Sequence, residues 1–143
     1  MSTSERAGLD EGRVHVRLKI AALWIAMLFL FAYGDIFGFF APGQIEEVIS
    51  GEIAGIEIDQ VFLFAISVYI AIAAAMIVLS LVLRPAISRW TNIVAAALYV
   101  VSIVASAIGE DAYFVFLSAL ECAALVAIVG YAWTWPRAEA PGP

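Results

Sequence analysis

The stretch VFLFAISVYIAIAAAMIVLSLVL, Val61 to Leu83, decides the fold. It carries no charged side chain, and about 20 residues of helix cross a ~30 Å hydrocarbon core. Inside that core no water satisfies backbone N–H and C=O groups, so a crossing segment is a helix or a strand of a closed barrel. Barrel strands alternate apolar and polar residues over ~10 positions, whereas IAIAAAMIVLSLVL is apolar on every side. The run reads as a transmembrane helix.

Three further apolar runs of similar length flank it: Ile20 to Phe40, Trp90 to Ile108 and Ala112 to Trp135. The 143-residue chain as a whole is 64% hydrophobic and 14% charged. Soluble domains hold roughly 45–50% apolar and about 25% charged residues, so one small globule could not hide this much apolar surface. The first run exceeds the 7–15 residues of a signal-peptide core and lacks a small-x-small cleavage site. Phe39-Phe40-Ala41-Pro42 suits no signal peptidase, and the segment is expected to be retained.

Arg84-Pro85 and Trp135-Pro136 end helices, because a residue before proline disfavours the helical region. Short connections favour antiparallel neighbours. The expected fold is therefore all-α: a polytopic membrane protein, an antiparallel up-down bundle of four transmembrane helices. The spans are about 20–40, 61–83, 90–108 and 112–135 within a single membrane domain, residues 13–136. Residues 1–12 read as a flexible cytoplasmic leader and 137–143 as a disordered cytoplasmic tail. No internal repeat of the inverted-transporter kind is visible.

Charge sorts by side. Arg6, Arg13, Arg17 and Lys19 precede the first span, Arg84 and Arg89 lie between the second and third, and Arg137 follows the fourth. The other two connections contain no basic residue. This bias predicts a multi-pass protein of the cell membrane with both termini cytoplasmic. The tryptophans, Trp24, Trp90, Trp133 and Trp135, all fall at the same boundary and read as headgroup anchors. On the opposite side, Ala41 to Gln60 (APGQIEEVISGEIAGIEIDQ) places Ile45, Val48, Ile49 and Ile53 on one helical face. A short amphipathic helix stopping near Gly51 is expected there, either as a lid on the bundle or as a plain connection.

Composition narrows the function. A net charge of −6 argues against nucleic acid as a partner. One cysteine, Cys122, and one histidine, His15, exclude an intrachain disulfide and the common zinc sets. The acidic residues Glu46, Glu47, Glu52, Glu57, Asp59, Glu110 and Asp111 have no EF-hand spacing and read as solvated loops. No nucleophile–base pair, metal set or cofactor motif is present, so an enzyme is disfavoured and no cofactor is expected.

Ionisable residues within membrane spans are rare and are functional candidates by default. Asp35 lies ~7–8 Å and Glu121 ~13–14 Å from the acidic ends of their apolar runs, at 1.5 Å per residue. Tyr33 flanks Asp35; Ser67 and Tyr69, Tyr99 and Ser102, and Ser118 add polar groups from the other three spans. The candidate ligand-binding set is Asp35, Glu121, Tyr99, Tyr69, Tyr33 and Ser118, facing an outward-opening pocket. The alternative is structural: a neutral Glu121 bonded to Tyr99 or a serine would tie two helices together. Gly34 and Gly38, and Ala119, Ala123 and Ala127, form small-residue faces suited to close helix packing.

LKIAALW (18–24), YGD (33–35), APG (41–43), SLVLRPAISRWTNI (80–93), Leu98-Tyr99, Glu121 and YAWTWP (131–136) resemble a family of small prokaryotic four-helix integral membrane proteins of unknown function. The resemblance covers about residues 14–136; it implies four helices and supplies no activity. DoxX-like and sterol-isomerase-like bundles are similar only in general architecture, which does not establish function. Small multidrug transporters place their key Glu in the first helix, where this chain has Asp35 far along the span, and they need weak charge bias. That comparison fails. The favoured expectation is a non-catalytic bundle, embedded in the lipid bilayer, that binds a small lipophilic or cationic molecule. The alternatives are an accessory subunit meeting a membrane partner or a second copy, and a proton-coupled small-molecule transporter.

Overall fold

Four long helices carry the chain through the bundle: α1 (Val16–Gly38), α3 (Gln60–Val82), α4 (Pro85–Ser106) and α5 (Ala112–Trp133). Between α1 and α3 lie a short helix α2 (Gln44–Ser50) and a small hairpin of β1 (Glu52–Ile53) and β2 (Ile56–Glu57). This computed structural model describes residues 14–53 and 55–136. The expected leader 1–12 and tail 137–143 lie outside the described residues. All four long helices are long and apolar enough to cross a membrane. The protein is a multi-pass four-helix bundle.

Two helices start earlier than their apolar runs. α1 begins at Val16 rather than Ile20 because the His15 side chain accepts the Arg17 N–H at 3.3 Å and caps the first turn. α4 begins at Pro85 rather than Trp90, since proline at the first helical position has no N–H to leave unpaired. The polar turn before Trp90 is thus helical. At the start of α3, Asp59 Oδ1 accepts the Phe62 N–H at 2.7 Å. Asp59→Ala removes that cap and is expected to lower stability by about 1 kcal/mol in thermal unfolding of the detergent-solubilised protein.

The connection at the acidic end has more structure than its sequence pattern implied. Gly43 and Gly51, both at φ 87°, bound α2 on either side, in the left-handed region where a Cβ is strained. Gly51 is the expected stop: its N–H bonds the Glu47 and Val48 carbonyls. The hairpin that follows pairs Ile53 with Ile56 and Glu52 with Glu57. Of the expected apolar face, Val48 and Ile53 turn toward the bundle, while Ile45 and Ile49 are 49% and 80% exposed.

Each long helix buries one narrow stripe, at spacings of three and four, and leaves the rest of its apolar surface outward, as a membrane span does. The stripes are Ile20, Trp24, Met27 and Gly34 on α1; Ala73, Met76 and Ser80 on α3; Ser88, Asn92, Ala96, Tyr99 and Ile103 on α4; and Ser118, Glu121, Leu125, Ile128 and Ala132 on α5. α1 packs against α3 and α5, and α5 packs against α1 and α4. Among neighbouring helices α3 and α4 touch least, although only a tight turn joins them. That seam is the loosest in the bundle.

At the end carrying the basic residues, a buried polar cluster joins three helices. Trp24 Nε1 donates to Asn92 Oδ1 at 2.7 Å, and Ser80 Oγ donates to the same oxygen at 3.0 Å. Asn92 Nδ2 donates to the Ser88 carbonyl at 2.8 Å, and Ser88 Oγ donates to the Ser80 carbonyl at 3.3 Å. Trp24, Ser80, Ser88 and Asn92 are all fully buried. Trp24 is therefore a core residue and not a headgroup anchor; its place on the Ile20–Met27 stripe turns it inward. Trp90 and Trp133 are exposed, with the Arg89 guanidinium over both rings at 5.7 and 5.5 Å. Arg17 donates to the Leu81 carbonyl at 2.6 Å, satisfying an orphan acceptor at the end of α3.

Candidate functional site

The opposite half of the bundle opens instead of closing. Asp35 sits in the last turn of α1, one residue past the buried Gly34 and itself exposed. Glu121 sits in the third turn of α5, one turn beyond Ser118 on that helix's buried face. Nine residues separate it from Ala112, which sets it ~13–14 Å along the helix. Both carboxyls border one cavity of about 280 Å³, with Tyr69 from α3, Ser102 and Ser106 from α4, and Ser118. Phe31, Phe114 and Leu117 supply apolar wall. The four helices thus line a small, partly open chamber whose mostly apolar wall is interrupted by these polar groups.

Burial grades along the chamber. Glu121 is 4% and Ser118 6% exposed, whereas Asp35 is among the exposed residues. Asp35 stands at the mouth and Glu121 at the base. Above the mouth lies a wider cavity of about 530 Å³ that shares Gly34, Asp35, Ile66 and Phe114 with the chamber. Val48, Ile53 and Ile58 of the connecting segment cover it, and Glu110 and Asp111 stand on its rim. The path from rim to base carries four carboxylates, and no lysine or arginine among the described residues lines either cavity.

The structure separates the candidate residues into three groups. Asp35, Glu121, Tyr69 and Ser118 meet on the chamber. Tyr99 does not: its hydroxyl donates to the Tyr69 backbone carbonyl, and its ring packs edge-on against Trp24 and beside Tyr69. Tyr33 is excluded as well. It is 51% exposed and stacks on Phe37, because two residues along a helix turn a side chain about 200° away from Asp35. The proposed tie between Glu121 and Tyr99 is likewise not formed, since Tyr99 spends its one hydrogen on α3.

Tyr69 occupies a pivotal position. Ser102 Oγ donates its single hydrogen to the Tyr99 carbonyl at 2.9 Å, so in the 2.7 Å Tyr69–Ser102 contact the tyrosine is the donor. This bond spans the α3–α4 seam. On its far side an apolar groove of about 600 Å³ runs between α3 and α4 from Trp90 to Ser102, and Tyr69 and Ser102 line groove and chamber alike. Among the polar residues of the chamber, Ser106 is the one absent from the polar set read from sequence; its position one turn beyond Ser102 on α4 is the signal that identifies it. The small residues divide too. Gly34 and Gly38 lie where an added Cβ would meet Leu117 and Tyr113 of α5 at 3.7 Å. Ala119 and Ala123 face outward.

Residues 9–141 match the model of a family of unknown function (DUF6326), and the chain belongs to that family. No curated protein and no solved structure matches it.

Proposed function

We propose that this membrane protein is a non-catalytic bundle whose carboxylate chamber binds a small organic cation with apolar character. One observation carries the reading: Asp35 and Glu121 border the same chamber and, among the described residues, no basic side chain lines it. A carboxylate held away from water is costly unless a partner neutralises it. An ammonium ion answers that need, bringing opposite charge and N–H donors for Glu121 and Ser118. The apolar walls suit a hydrocarbon substituent. The basic residues beside the first, third and fourth helices support an orientation in the cell membrane with both termini cytoplasmic. In that orientation the chamber opens outward.

The test is thermal unfolding of purified protein with n-butylammonium, and with n-butanol as the uncharged comparison. The ammonium is expected to raise the midpoint of wild type and to leave the Asp35→Asn/Glu121→Gln double variant unmoved. Equal stabilisation of both proteins would remove this reading. A second reading, an accessory subunit, is favoured by the outward alanines Ala119 and Ala123 on α5. It predicts a stoichiometric membrane partner that co-purifies with wild type and is lost from Ala123→Leu.

A further inference from the structure

The chamber is small. At about 280 Å³ it falls below the ~300–1,000 Å³ of pockets that enclose a drug-sized ligand. It accepts a head group, and any long substituent has to leave it. Upward lies the rim with Glu110 and Asp111; sideways, behind Tyr69 and Ser102, lies the groove between α3 and α4. The groove is the larger space and its walls are apolar, with Ile72 and Met76 on one side and Val94 and Leu98 on the other. Val94 and Leu98 are 55% and 66% exposed on the bundle's outer surface, so in a bilayer the groove faces hydrocarbon.

We infer that the ligand is a long-chain amine whose ammonium head lies against Asp35 and Glu121 and whose hydrocarbon tail passes between α3 and α4 into this groove. The inference rests on the proposed cation-binding chamber and adds the chemical class and the side of approach. Continuity carries it. Tyr69 and Ser102 belong to both spaces, so the partition between head site and tail site is their side-chain hydrogen bond, beside the bond that the Tyr99 hydroxyl makes to the Tyr69 carbonyl across the same seam. Rotation of the Tyr69 ring removes that partition without unwinding a helix. The released Tyr69 and Ser102 hydroxyls then border the ligand at the junction of head and tail. An amphiphile approaching this way keeps its tail in hydrocarbon while its head reaches the carboxylates.

The experiment uses full-length protein in phosphatidylcholine nanodiscs, with empty discs measured in parallel. Affinities for n-butylamine and n-dodecylamine, both protonated at neutral pH, are compared in wild type and Leu98→Trp, which fills the groove from its exposed wall. Val94→Trp, on the same wall, serves if Leu98→Trp does not fold. The groove-filled protein is expected to lose about tenfold in affinity for dodecylamine, since overpacking penalties reach that size, and to keep its affinity for butylamine. Unchanged dodecylamine binding in folded, groove-filled protein, with butylamine still bound, would overturn the tail placement and leave the chamber reading standing. Butylamine binding that ignores Asp35→Asn and Glu121→Gln would overturn both.

Discussion

Asn92→Ala is expected to lower the stability of the bundle by about 2 kcal/mol. Asn92 accepts from Trp24 and Ser80 and donates to Ser88, at distances of 2.7 to 3.0 Å and with no exposure. Ser80 shares its single hydrogen between Asn92 and the closer Met76 carbonyl at 2.6 Å, so it stays satisfied without Asn92. Trp24 has no such reserve, because an indole N–H is its only donor. Stranding a buried donor costs ~1–3 kcal/mol. Interhelical hydrogen bonds in membranes average about 0.6 and reach ~1.7 kcal/mol, because chains unfolded within lipid find other partners. The two ranges overlap at ~1–1.7 kcal/mol, and the lost packing volume raises the expected total to about 2 kcal/mol. Equilibrium unfolding in mixed micelles checks the number, and a loss below about 0.5 kcal/mol would mean the cluster contributes little. A cycle combining Trp24→Phe with Asn92→Ala isolates the Trp24–Asn92 coupling from the cavity effect.

The second large effect concerns the chamber, where the two carboxylates should not be equal. Hydrogen bonds to charged groups contribute ~1.5–3 kcal/mol, which corresponds to roughly ten- to hundredfold in affinity. Glu121 is 4% exposed, and water competes weakly for it, so Glu121→Gln should lie at the upper end of that range for n-butylammonium. Asp35 stands at the mouth and is exposed, so solvent screens it and Asp35→Asn should lie at the lower end. Titration calorimetry on the three proteins checks the order. Equal losses would move the cation up to the mouth. A larger loss for Asp35→Asn would place it in the wider cavity beneath Glu110 and Asp111.

Much of this architecture was legible before any coordinates. Hydropathy and span length identify the four helices because a bilayer leaves the backbone no other solution. The glycine stop at Gly51 follows from the apolar spacing before it and from glycine's access to positive φ. The Ile53–Ile56 hairpin was not legible: two residues per strand are too few to establish alternation. Trp24 was misplaced by a rule that tryptophans mark interfaces, while the spacing of Ile20, Trp24 and Met27 already set it on one face with the other core residues. The same helical arithmetic that points Ala119 away from Glu121 points Tyr33 away from Asp35. What no one-helix argument reaches is which spans become neighbours. The weak α3–α4 contact is a property of the packed bundle, and it creates the groove and gives Tyr69 its place between two cavities.

The two halves of the bundle divide the work. At the basic end, Trp24, Ser80, Ser88 and Asn92 satisfy one another and bind three helices into a closed core. At the acidic end, equally polar side chains leave two carboxyls facing shared space. The proposed tail entry asks the seam between α3 and α4 to part near Tyr69, and the closed cluster at the basic end is what would hold the fold while it does. The most direct test of the central claim is an anomalous difference map from crystals grown with 4-bromobenzylammonium, whose aryl bromide neither cyclises nor alkylates. The predicted result is a bromine peak within the space bounded by Asp35, Ser118, Tyr69 and Glu121, absent from crystals of the Asp35→Asn/Glu121→Gln variant. Peaks confined to the outer acidic loops, with the chamber empty at saturating ligand, would contradict it.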